Sequence, residues 1–195
     1  MRADLGIDGQ PLVVFAGRLE YEKGVQTLID AVPIVDRAAP GVRVVVAGAG
    51  SYRAELERRV RALRLGRRVR FEGFVDERRL RRLYQAADAV VVPSLYEPFG
   101  LVAVEAMACR TPVVASDTGG LREVVDHGVT GLRFARGNGR SLAAALRRVL
   151  TDPELASRLT DEAAAVLAAR PSWDEVADRT ARAYGRAVER GPVRA

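Results

Sequence analysis

Residues 12–47 read LVVFAGRLEYEKGVQTLIDAVPIVDRAAPGVRVVVA. The two ends of this stretch, residues 12–16 and 42–47, are short apolar runs rich in β-branched valine, which is typical of buried strands. Between them, residues 24–38 carry apolar side chains at helical spacing: Val25, Leu28, Ile29, Val32 and Val35. A helix between two buried strands predicts a parallel pair joined by a crossover connection.

The same alternation continues along the chain. We expect further strands at 69–71, 89–92, 112–115 and 132–134. We expect helices at 52–64, at 76–87 with Asp76 as cap, at 101–109, at 119–126, and then helices alone at 140–150, 153–168 and 172–188. This order favours an α/β fold: a single Rossmann-like, doubly wound parallel sheet of about six strands, flanked by helices and followed by C-terminal helices. We therefore expect one domain over residues 1–195, with a core at 11–170 and a C-terminal helix at 172–190.

The composition is that of an ordinary globular chain, and it excludes several kinds of site. Apolar residues make up 48% of the 195 residues and charged residues 29%. With one cysteine, Cys109, and one histidine, His127, the chain can form neither an internal disulfide nor a structural zinc site, which needs about four such ligands. It contains no apolar run of about 18 residues and no apolar signal core in its first ten residues, so we expect a cytoplasmic protein without a membrane span.

Positive charge is concentrated in residues 52–82, which hold twelve arginines against five acidic residues, while the whole chain has a net charge of +6. Such a stretch can attract nucleic acid, anionic lipid or a phosphorylated ligand. An Arg-rich solvated face on two helices is the simpler interpretation. Aromatic residues are not interleaved with the arginines as a single-strand binder requires, so we expect no nucleic-acid partner, and a peripheral contact with an anionic membrane stays open.

The loops after the strands are the candidate site, because ligands of open parallel sheets bind beyond the carboxyl ends of the strands. The first of these loops, residues 17–24, reads GRLEYEKG. Gly17 allows a ligand to approach the backbone closely, and Arg18 and Lys23 supply two positive charges that a diphosphate requires. An ordinary basic loop has the same composition, so both interpretations stay open at this point.

A second loop leads into a helix, and residues 93–108 read PSLYEPFGLVAVEAMA. The helix is expected to begin near Gly100, where its free N–H groups and its dipole can hold an anion. Glu97 and Glu105 lie on either side of that start, so both carboxylates can face one ligand and accept hydrogen bonds from sugar hydroxyls. An acidic pair that only complements the helix dipole is the alternative.

Five segments together carry a family resemblance. They are residues 17–24, 44–50 (VVVAGAG), 71–75 (FEGFV), 91–108 (VVPSLYEPFGLVAVEAMA) and 111–131 (TPVVASDTGGLREVVDHGVTG). Because of their order and spacing, residues 12–134 resemble the donor domain of family-4 GT-B glycosyltransferases, in which two glutamates separated by seven residues are characteristic. The resemblance extends loosely to the SWDEVADRTARAY segment near the C-terminus. It implies that the chain is half of a GT-B fold.

The resemblance implies catalytic roles for three side chains. Arg18 and Lys23 would grip the donor diphosphate and stabilise the leaving group, and Glu97 would accept hydrogen bonds from hydroxyls of the transferred sugar. The donor-binding positions that it implies are Gly17, Phe74, Val75, Phe99, Gly100, Leu101 and Glu105. Among them, Glu105 would bind the ribose, residues 99–101 would offer backbone amides to phosphate or sugar oxygens, and residues 74–75 would meet the base.

The implied function is metal-independent, retaining transfer of a hexosyl group from a nucleoside-diphosphate sugar of the UDP, GDP or ADP type, with no cofactor. The absence of any Asp-x-Asp pair in the sequence agrees with a site that holds no metal. The acceptor would be bound by a missing N-terminal domain or by a partner chain, so we expect the isolated chain to bind donor and to transfer little. The last helix carries an apolar stripe that we expect to be partly exposed: Trp173, Val176, Thr180 and Tyr184.

Two other functions stay open. A stand-alone module that binds a nucleotide, a phosphate or an anionic partner, without catalytic activity, would carry the same loops. A nicotinamide-dependent enzyme is suggested by GAGS at residues 48–51, which begins like a dinucleotide fingerprint. Arg53 stands where the third glycine of that fingerprint belongs, so this alternative is weakly supported.

Overall fold

A computed structural model describes residues 1–190, except for the side chains of Trp173, Ala187, Glu189 and Arg190. The strands within that range are Leu12–Ala16 (β1), Arg43–Ala47 (β2), Val69–Gly73 (β3), Ala89–Val92 (β4), Val113–Ser116 (β5) and Leu132–Phe134 (β6). The α-helices are Val25–Ala38 (α1), Arg53–Ala62 (α2), Glu77–Ala86 (α3), Leu101–Ala108 (α4), Leu121–Val124 (α5), Gly139–Thr151 (α6), Pro153–Ala168 (α7) and Trp173–Arg190 (α8).

The strands form one parallel sheet in the order β3-β2-β1-β4-β5-β6. β1 lies at the centre, where Val14 pairs with Val45 of β2 on one side and with Val90 of β4 on the other. The chain therefore adds β2 and β3 on one side of β1 and then returns to add β4, β5 and β6 on the other. The expected doubly wound, six-stranded α/β sheet is confirmed.

Helices cover both faces of the sheet. Along β1, Val13 and Phe15 pack into a core with α1, α2 and α6, whereas Val14 and Ala16 pack into a second core with α3, α4 and α5. Helix α7 contributes to both cores. Burial on both faces explains why β1, β2, β4 and β5 read as apolar runs rather than as an alternation of apolar and polar residues. The edge strand β3 reads VRFEG instead, and only its Val69 is buried.

All predicted helices and strands are present, and their ends lie within two residues of the expected positions. Asp76 caps α3 as predicted, because its carboxylate accepts a hydrogen bond from the Arg79 amide at 2.7 Å. The helix expected at 119–126 is shorter, since Gly119 has a φ of 46° and Val125 is extended. The sequence does not predict the 3₁₀ turns Ala3–Leu5 and Tyr21–Lys23, because three residues give no helical periodicity.

Helix α8 presents its described side chains to solvent. Val176, Thr180 and Tyr184 of the expected apolar stripe are all exposed, while the side chain of Trp173 lies outside the described residues. Within residues 1–190, no helix combines the length and the apolar composition that crossing a bilayer requires.

Candidate functional site

The strand order locates a crevice between β1 and β4. These neighbours are the point where the chain changes direction across the sheet, and the helices that follow them, α1 and α4, cover opposite faces of the sheet. The loop after β1 is residues 17–24, and the loop after β4 is residues 93–100. The two segments singled out in the sequence therefore meet at the carboxyl edge of the sheet, where doubly wound folds bind ligands.

The two loops are in direct backbone contact. The Leu95 amide donates a hydrogen bond to the Glu22 carbonyl at 2.7 Å. Gly24 has a φ of 70°, and a Cβ at this position would lie 2.7 Å from the carbonyl carbon of Pro93 and closer still to its oxygen. Glycine is therefore required at residue 24 both by its conformation and by the approach of the second loop.

A third loop, which follows β5, supports residues 93–100 from the other side. The Gly120 amide donates to the Glu97 carbonyl at 2.9 Å. A Cβ on Gly119 would lie 3.2 Å from the carbonyl carbon of Glu97 and closer to its oxygen. Glu97 is thus held on a segment that is fixed from both sides, so its carboxylate has a defined position.

An ion pair between Lys23 and Glu97 lies at the centre of the crevice. Lys23 Nζ donates to Glu97 Oε2 at 2.8 Å, and the two side chains are only 18% and 13% exposed. The Ser94 hydroxyl also donates to Oε2 at 3.2 Å, and the Gly100 amide points to Oε1 at 3.4 Å. The Glu97 carboxylate therefore faces three donors, the Lys23 ammonium, the Ser94 hydroxyl and the Gly100 amide.

These contacts keep Glu97 ionised. Burial of the carboxyl raises its pKa, but the hydrogen bond and charge of Lys23 act in the opposite direction, with help from the Gly100 amide and the Ser94 hydroxyl. Their combined effect exceeds the burial, so the pKa of Glu97 lies below its ordinary value. An ionised carboxylate only accepts hydrogen bonds, which suits recognition of hydroxyl groups.

The start of α4 lies directly beside this ion pair. Gly100 precedes the helix with a φ of 75°, and the first N–H groups of a helix have no acceptor within it. The neighbouring side chains of Phe99 and Leu101 are exposed to solvent at the same place. The carboxyl edge therefore combines free amides, a helix dipole and apolar surface within a few residues.

Arg18, Gly17, Phe74 and Val75 lie together on the β1–β3 side of the crevice. They line a cavity of about 280 Å³ whose remaining walls are Ala16, Ala47, Gly48, Ala49 and Leu80. Phe74 is 85% exposed. Arg18 forms an exposed ion pair with Glu22, in which Nη2 and Oε1 are 3.6 Å apart. Because the walls are almost entirely apolar, the cavity suits a flat, weakly polar ring.

Glu105 lies on the second turn of α4 and contacts a buried tyrosine. The Tyr84 hydroxyl donates to Glu105 Oε2 at 3.2 Å. Burial raises the pKa of Tyr84, and the adjacent Glu105 carboxylate raises it further, so the phenol stays protonated and donates. Tyr84 is not predicted by the sequence analysis, since its spacing on α3 indicates only a core position.

The predicted site residues fall into three groups. Lys23, Glu97 and Gly100 are in direct contact, and the exposed Phe99 and Leu101 adjoin Gly100. The residues of the apolar cavity form a second group, and Glu105 lies with Tyr84. Sequence reasoning missed Ser94, which is buried beneath Glu97, although a serine directly after an apolar strand and a proline is a usable signal. Ser116 supports it from β5 through a hydrogen bond to the Ser94 carbonyl.

His127, the single histidine, lies away from these groups. Its Nδ1 accepts a hydrogen bond from the Arg133 amide at 2.8 Å, so it holds the end of the loop before β6. In the part of the chain that the structure describes, no three His, Cys, Asp or Glu side chains converge as a metal site requires.

Comparison with known proteins assigns the fold and the site to a family. The sequence model of one family, described as Glycosyl transferases group 1, matches residues 1–166. The chain belongs to this family. Among curated relatives of this group 1 domain are a glycogen synthase of Mycobacterium tuberculosis, 44% identical over 176 residues, and an uncharacterized glycosyltransferase of Methanocaldococcus jannaschii, 40% identical over 190 residues.

The alignments with the glycogen synthase and the archaeal glycosyltransferase cover 90% and 96% of this chain but only 42% and 48% of those relatives. The chain therefore spans about half the length of the curated relatives that it matches. It corresponds to their donor-binding half, as the solved structures indicate.

Two solved structures agree with this assignment. HepE from Anabaena, solved with UDP-glucose, is 31% identical and superimposes with a TM-score of 0.87 over 95% of this chain and 51% of HepE. The C-terminal domain of the group 1 glycosyl transferase LpcC from Francisella tularensis is 28% identical with a TM-score of 0.75, and the match covers 83% of this chain and 86% of that domain. The chain is thus the C-terminal, donor-binding half of a GT-B fold.

Proposed function

We propose that this domain binds a nucleoside-diphosphate sugar as the donor half of a retaining, metal-independent glycosyltransferase that transfers a hexosyl group. The observation that carries the proposal is the ion pair of Lys23 and Glu97 beside the start of α4, at the switch point of the sheet. One cation, one ionised carboxylate and a helix N-terminus lie within contact of each other, and these groups complement a phosphate joined to a polyhydroxylated ring.

Lys23, Arg18 and the amides at the start of α4 would bind the phosphates and stabilise the leaving group. Lys23 has three N–H donors and uses one on Glu97, so others are available to a phosphate oxygen. When the bond between the anomeric carbon and the β-phosphate oxygen breaks, negative charge grows on the departing diphosphate. Lys23, Arg18 and the amides at the start of α4 would stabilise that charge without rearranging.

Sugar and nucleoside recognition fall to the two remaining groups. Glu97 would accept hydrogen bonds from hydroxyls of the transferred hexose, which its ionised state favours. The base would occupy the apolar cavity between Gly17 and Val75, and Glu105 would accept hydrogen bonds from the ribose hydroxyls. HepE, which shares this fold at 31% identity, has been solved with UDP and with UDP-glucose, which supports a uridine donor.

The acceptor is expected to be held by another domain or by a partner chain. Two observations support this: the chain spans about half of its curated relatives, and α8 presents Val176 and Tyr184 to solvent. A stand-alone binding module remains the competing function. It would bind a nucleotide equally well, but addition of the hexosyl group to the nucleotide would not increase its affinity.

Calorimetric titration of the isolated chain with UDP, GDP, ADP and UDP-glucose tests the proposal. We expect binding of at least one diphosphate and of its hexose conjugate. Lys23→Ala and Arg18→Ala are each expected to weaken diphosphate binding by about tenfold to a hundredfold, since a hydrogen bond to a charged group contributes about 1.5–3 kcal/mol. Affinity for the free nucleoside, which lacks phosphate, should not change.

Arg147→Ala is the matched control, because Arg147 is exposed on α6 and forms no ion pair with any side chain that the structure describes. Thermal unfolding of each variant accounts for any loss of stability when Glu97 loses its partner. If none of the three diphosphates binds, or if the Arg18 and Lys23 variants bind as tightly as the Arg147 variant, the donor assignment is wrong.

A further inference from the structure

The amino-terminal edge of the sheet, opposite to the carboxyl edge, carries a cluster of arginines. We define this arginine patch by Arg43, Arg61, Arg64, Arg67 and Arg68. Together with one glycine they line a depression of about 680 Å³. Arg43 is the first residue of β2, and the five residues of that strand rise about 15 Å, so the patch and the donor crevice lie at opposite ends of the sheet.

The turn between α2 and β3 holds three of these arginines in a fixed arrangement. Leu65 is buried, and its amide donates to the Val60 carbonyl at 2.9 Å, while the Arg68 amide donates to the Leu65 carbonyl at 2.8 Å. Arg64 has a φ of 58°, a left-handed conformation that non-glycine residues seldom adopt. The guanidinium groups therefore project from a hydrogen-bonded turn that the buried Leu65 anchors.

Ion pairing separates the patch from most of the other arginines of residues 52–82. Five of those eight others form ion pairs with carboxylates: Arg53, Arg58, Arg59, Arg70 and Arg79. The remaining three, Arg78, Arg81 and Arg82, are exposed on α3. Within the patch, only Arg68 does so, with Asp36 at 3.0 Å. The rest of the patch forms no ion pair with a carboxylate whose side chain the structure describes.

Arg43 adds a fifth charge from a neighbouring strand. Its Nη1 donates to the Arg67 carbonyl, and its Nε is shielded from solvent without an acceptor in the described chain. Five guanidinium groups against one carboxylate create a strong local positive potential. A surface that offers several negative charges would relieve this repulsion.

Apolar surface adjoins these charges. Leu63, in the same turn as Arg64, is 41% exposed. A second depression of about 330 Å³ shares Arg43, Arg67 and Arg68 with the patch, and its walls include Leu5 and Ile7. Long charged side chains around exposed apolar groups are typical of protein surfaces that lie in the headgroup region of a bilayer.

The chemistry of the patch favours lipid over nucleic acid. No aromatic side chain lines either depression, so there is no platform on which bases could stack. We propose that the arginine patch docks this domain on an anionic bilayer surface, with the guanidinium groups on lipid phosphates and Leu63 at the interface. The donor crevice, at the opposite edge of the sheet, would then face the water from which a nucleotide sugar arrives.

Vesicle flotation of the whole chain tests the proposal. The probes are phosphatidylcholine vesicles with and without about one third phosphatidylglycerol, a proportion that gives a clearly negative surface potential. We expect binding to the anionic vesicles, little binding to the neutral ones, and a steep fall in binding as salt is raised.

A triple variant locates the binding. Arg61→Gln, Arg64→Asn and Arg67→Gln together remove three charges, and asparagine is chosen for residue 64 because it tolerates the left-handed conformation. Each arginine near an anionic surface contributes about fivefold to affinity, so we expect the variant to bind on the order of a hundredfold more weakly. The control removes three charges that are also exposed, from α3: Arg78→Gln, Arg81→Gln and Arg82→Gln.

Leu63→Ser provides an independent variant that keeps every charge. It should lower vesicle affinity about threefold or more through lost apolar contact, with an unchanged dependence on salt. Matched thermal unfolding midpoints show that the variants are folded.

Three results would overturn the proposal: equal weakening by the patch triple and the α3 triple, equal binding to neutral and anionic vesicles, or binding to a single-stranded oligonucleotide without binding to vesicles. Because the patch lies apart from the donor crevice, failure of nucleotide binding would leave the vesicle result unaffected.

Discussion

Substitution of Gly24 by alanine tests whether the two loops of the donor crevice touch as the structure describes. The new Cβ would lie 2.7 Å from the Pro93 carbonyl carbon and closer to its oxygen, at a residue whose φ is 70°. The left-handed conformation costs a residue with a Cβ about 1–2 kcal/mol, and the steric conflict with a backbone that cannot rotate away adds about 1–3 kcal/mol. We expect Gly24→Ala to lower the free energy of unfolding by about 2–5 kcal/mol.

Two other glycines separate these contributions. Gly128 has a φ of 83° with nothing within 4 Å of an added Cβ, so Gly128→Ala should cost only the conformational part, about 1–2 kcal/mol. Gly66 also has open space and lacks a positive φ, so Gly66→Ala should stay within about 0.5 kcal/mol of the wild type. The order of the three costs is a stronger test than any single value.

Urea denaturation monitored by circular dichroism measures the three free energies of unfolding. For a chain of this size, 1 kcal/mol shifts the melting temperature by about 2–4 °C, so thermal unfolding resolves the same order. Gly24→Ala should also weaken UDP binding, since Lys23 is the preceding residue and would be displaced from Glu97. Equal stability losses for Gly24→Ala and Gly128→Ala would refute the close packing of the two loops.

Three further predictions concern the carboxylates of the crevice. Glu97→Gln preserves the shape of the side chain but removes its charge, and titration should show that UDP-glucose loses about tenfold in affinity while UDP loses less, a split that a merely structural role would not produce. Tyr84→Phe removes the hydrogen bond that orients Glu105, so the preference for UDP over 2′-deoxy-UDP should shrink by a few-fold. Because the pKa of Glu97 is lower in the folded chain than in the unfolded chain, its ionised form stabilises the fold fully above the unfolded value near 4.5. This stabilisation is lost as the pH falls through the folded value. Urea denaturation at these acidic pH values should therefore show a smaller loss of unfolding free energy for Glu97→Gln than for the wild type.

The sequence predicts the elements of this fold better than their contacts. Most strands are buried apolar runs and the longer helices have an apolar stripe, and these local patterns place every end within two residues. The exception among the strands is β3, which reads VRFEG and buries only Val69. The strand order is not encoded in that way, because one valine-rich run looks much like another. The contact between Lys23 and Glu97, which are 74 residues apart, depends on that order, so the sequence indicates both residues without indicating that they are bonded to each other.

The same limit explains why Ser94 and Tyr84 were missed. Tyr84 donates a hydrogen bond to Glu105 and Ser94 donates one to Glu97. Without these contacts, each residue would be indistinguishable from an ordinary buried residue. Once β4 is known to lie beside β1 and α3 is known to pack beside α4, both hydroxyls are expected to find a partner, because a buried donor without an acceptor is costly. The arrangement of strands and helices therefore identifies Ser94 and Tyr84 as positioning residues, which the spacing of residues in the sequence does not.

The distribution of charge along the sequence differs from the distribution of charge on the folded surface. Residues 52–82 look uniformly basic, yet Asp30 and Asp36, which lie outside that stretch, neutralise Arg59 and Arg68, and Arg43, also outside it, joins the unneutralised group. A count over neighbouring residues mixes arginines whose charges are already satisfied with arginines whose charges are not. What attracts an anionic partner is the local excess of charge after pairing, and the arginine patch gathers five arginines around one depression with a single ion pair, at the end of the sheet opposite to the donor crevice.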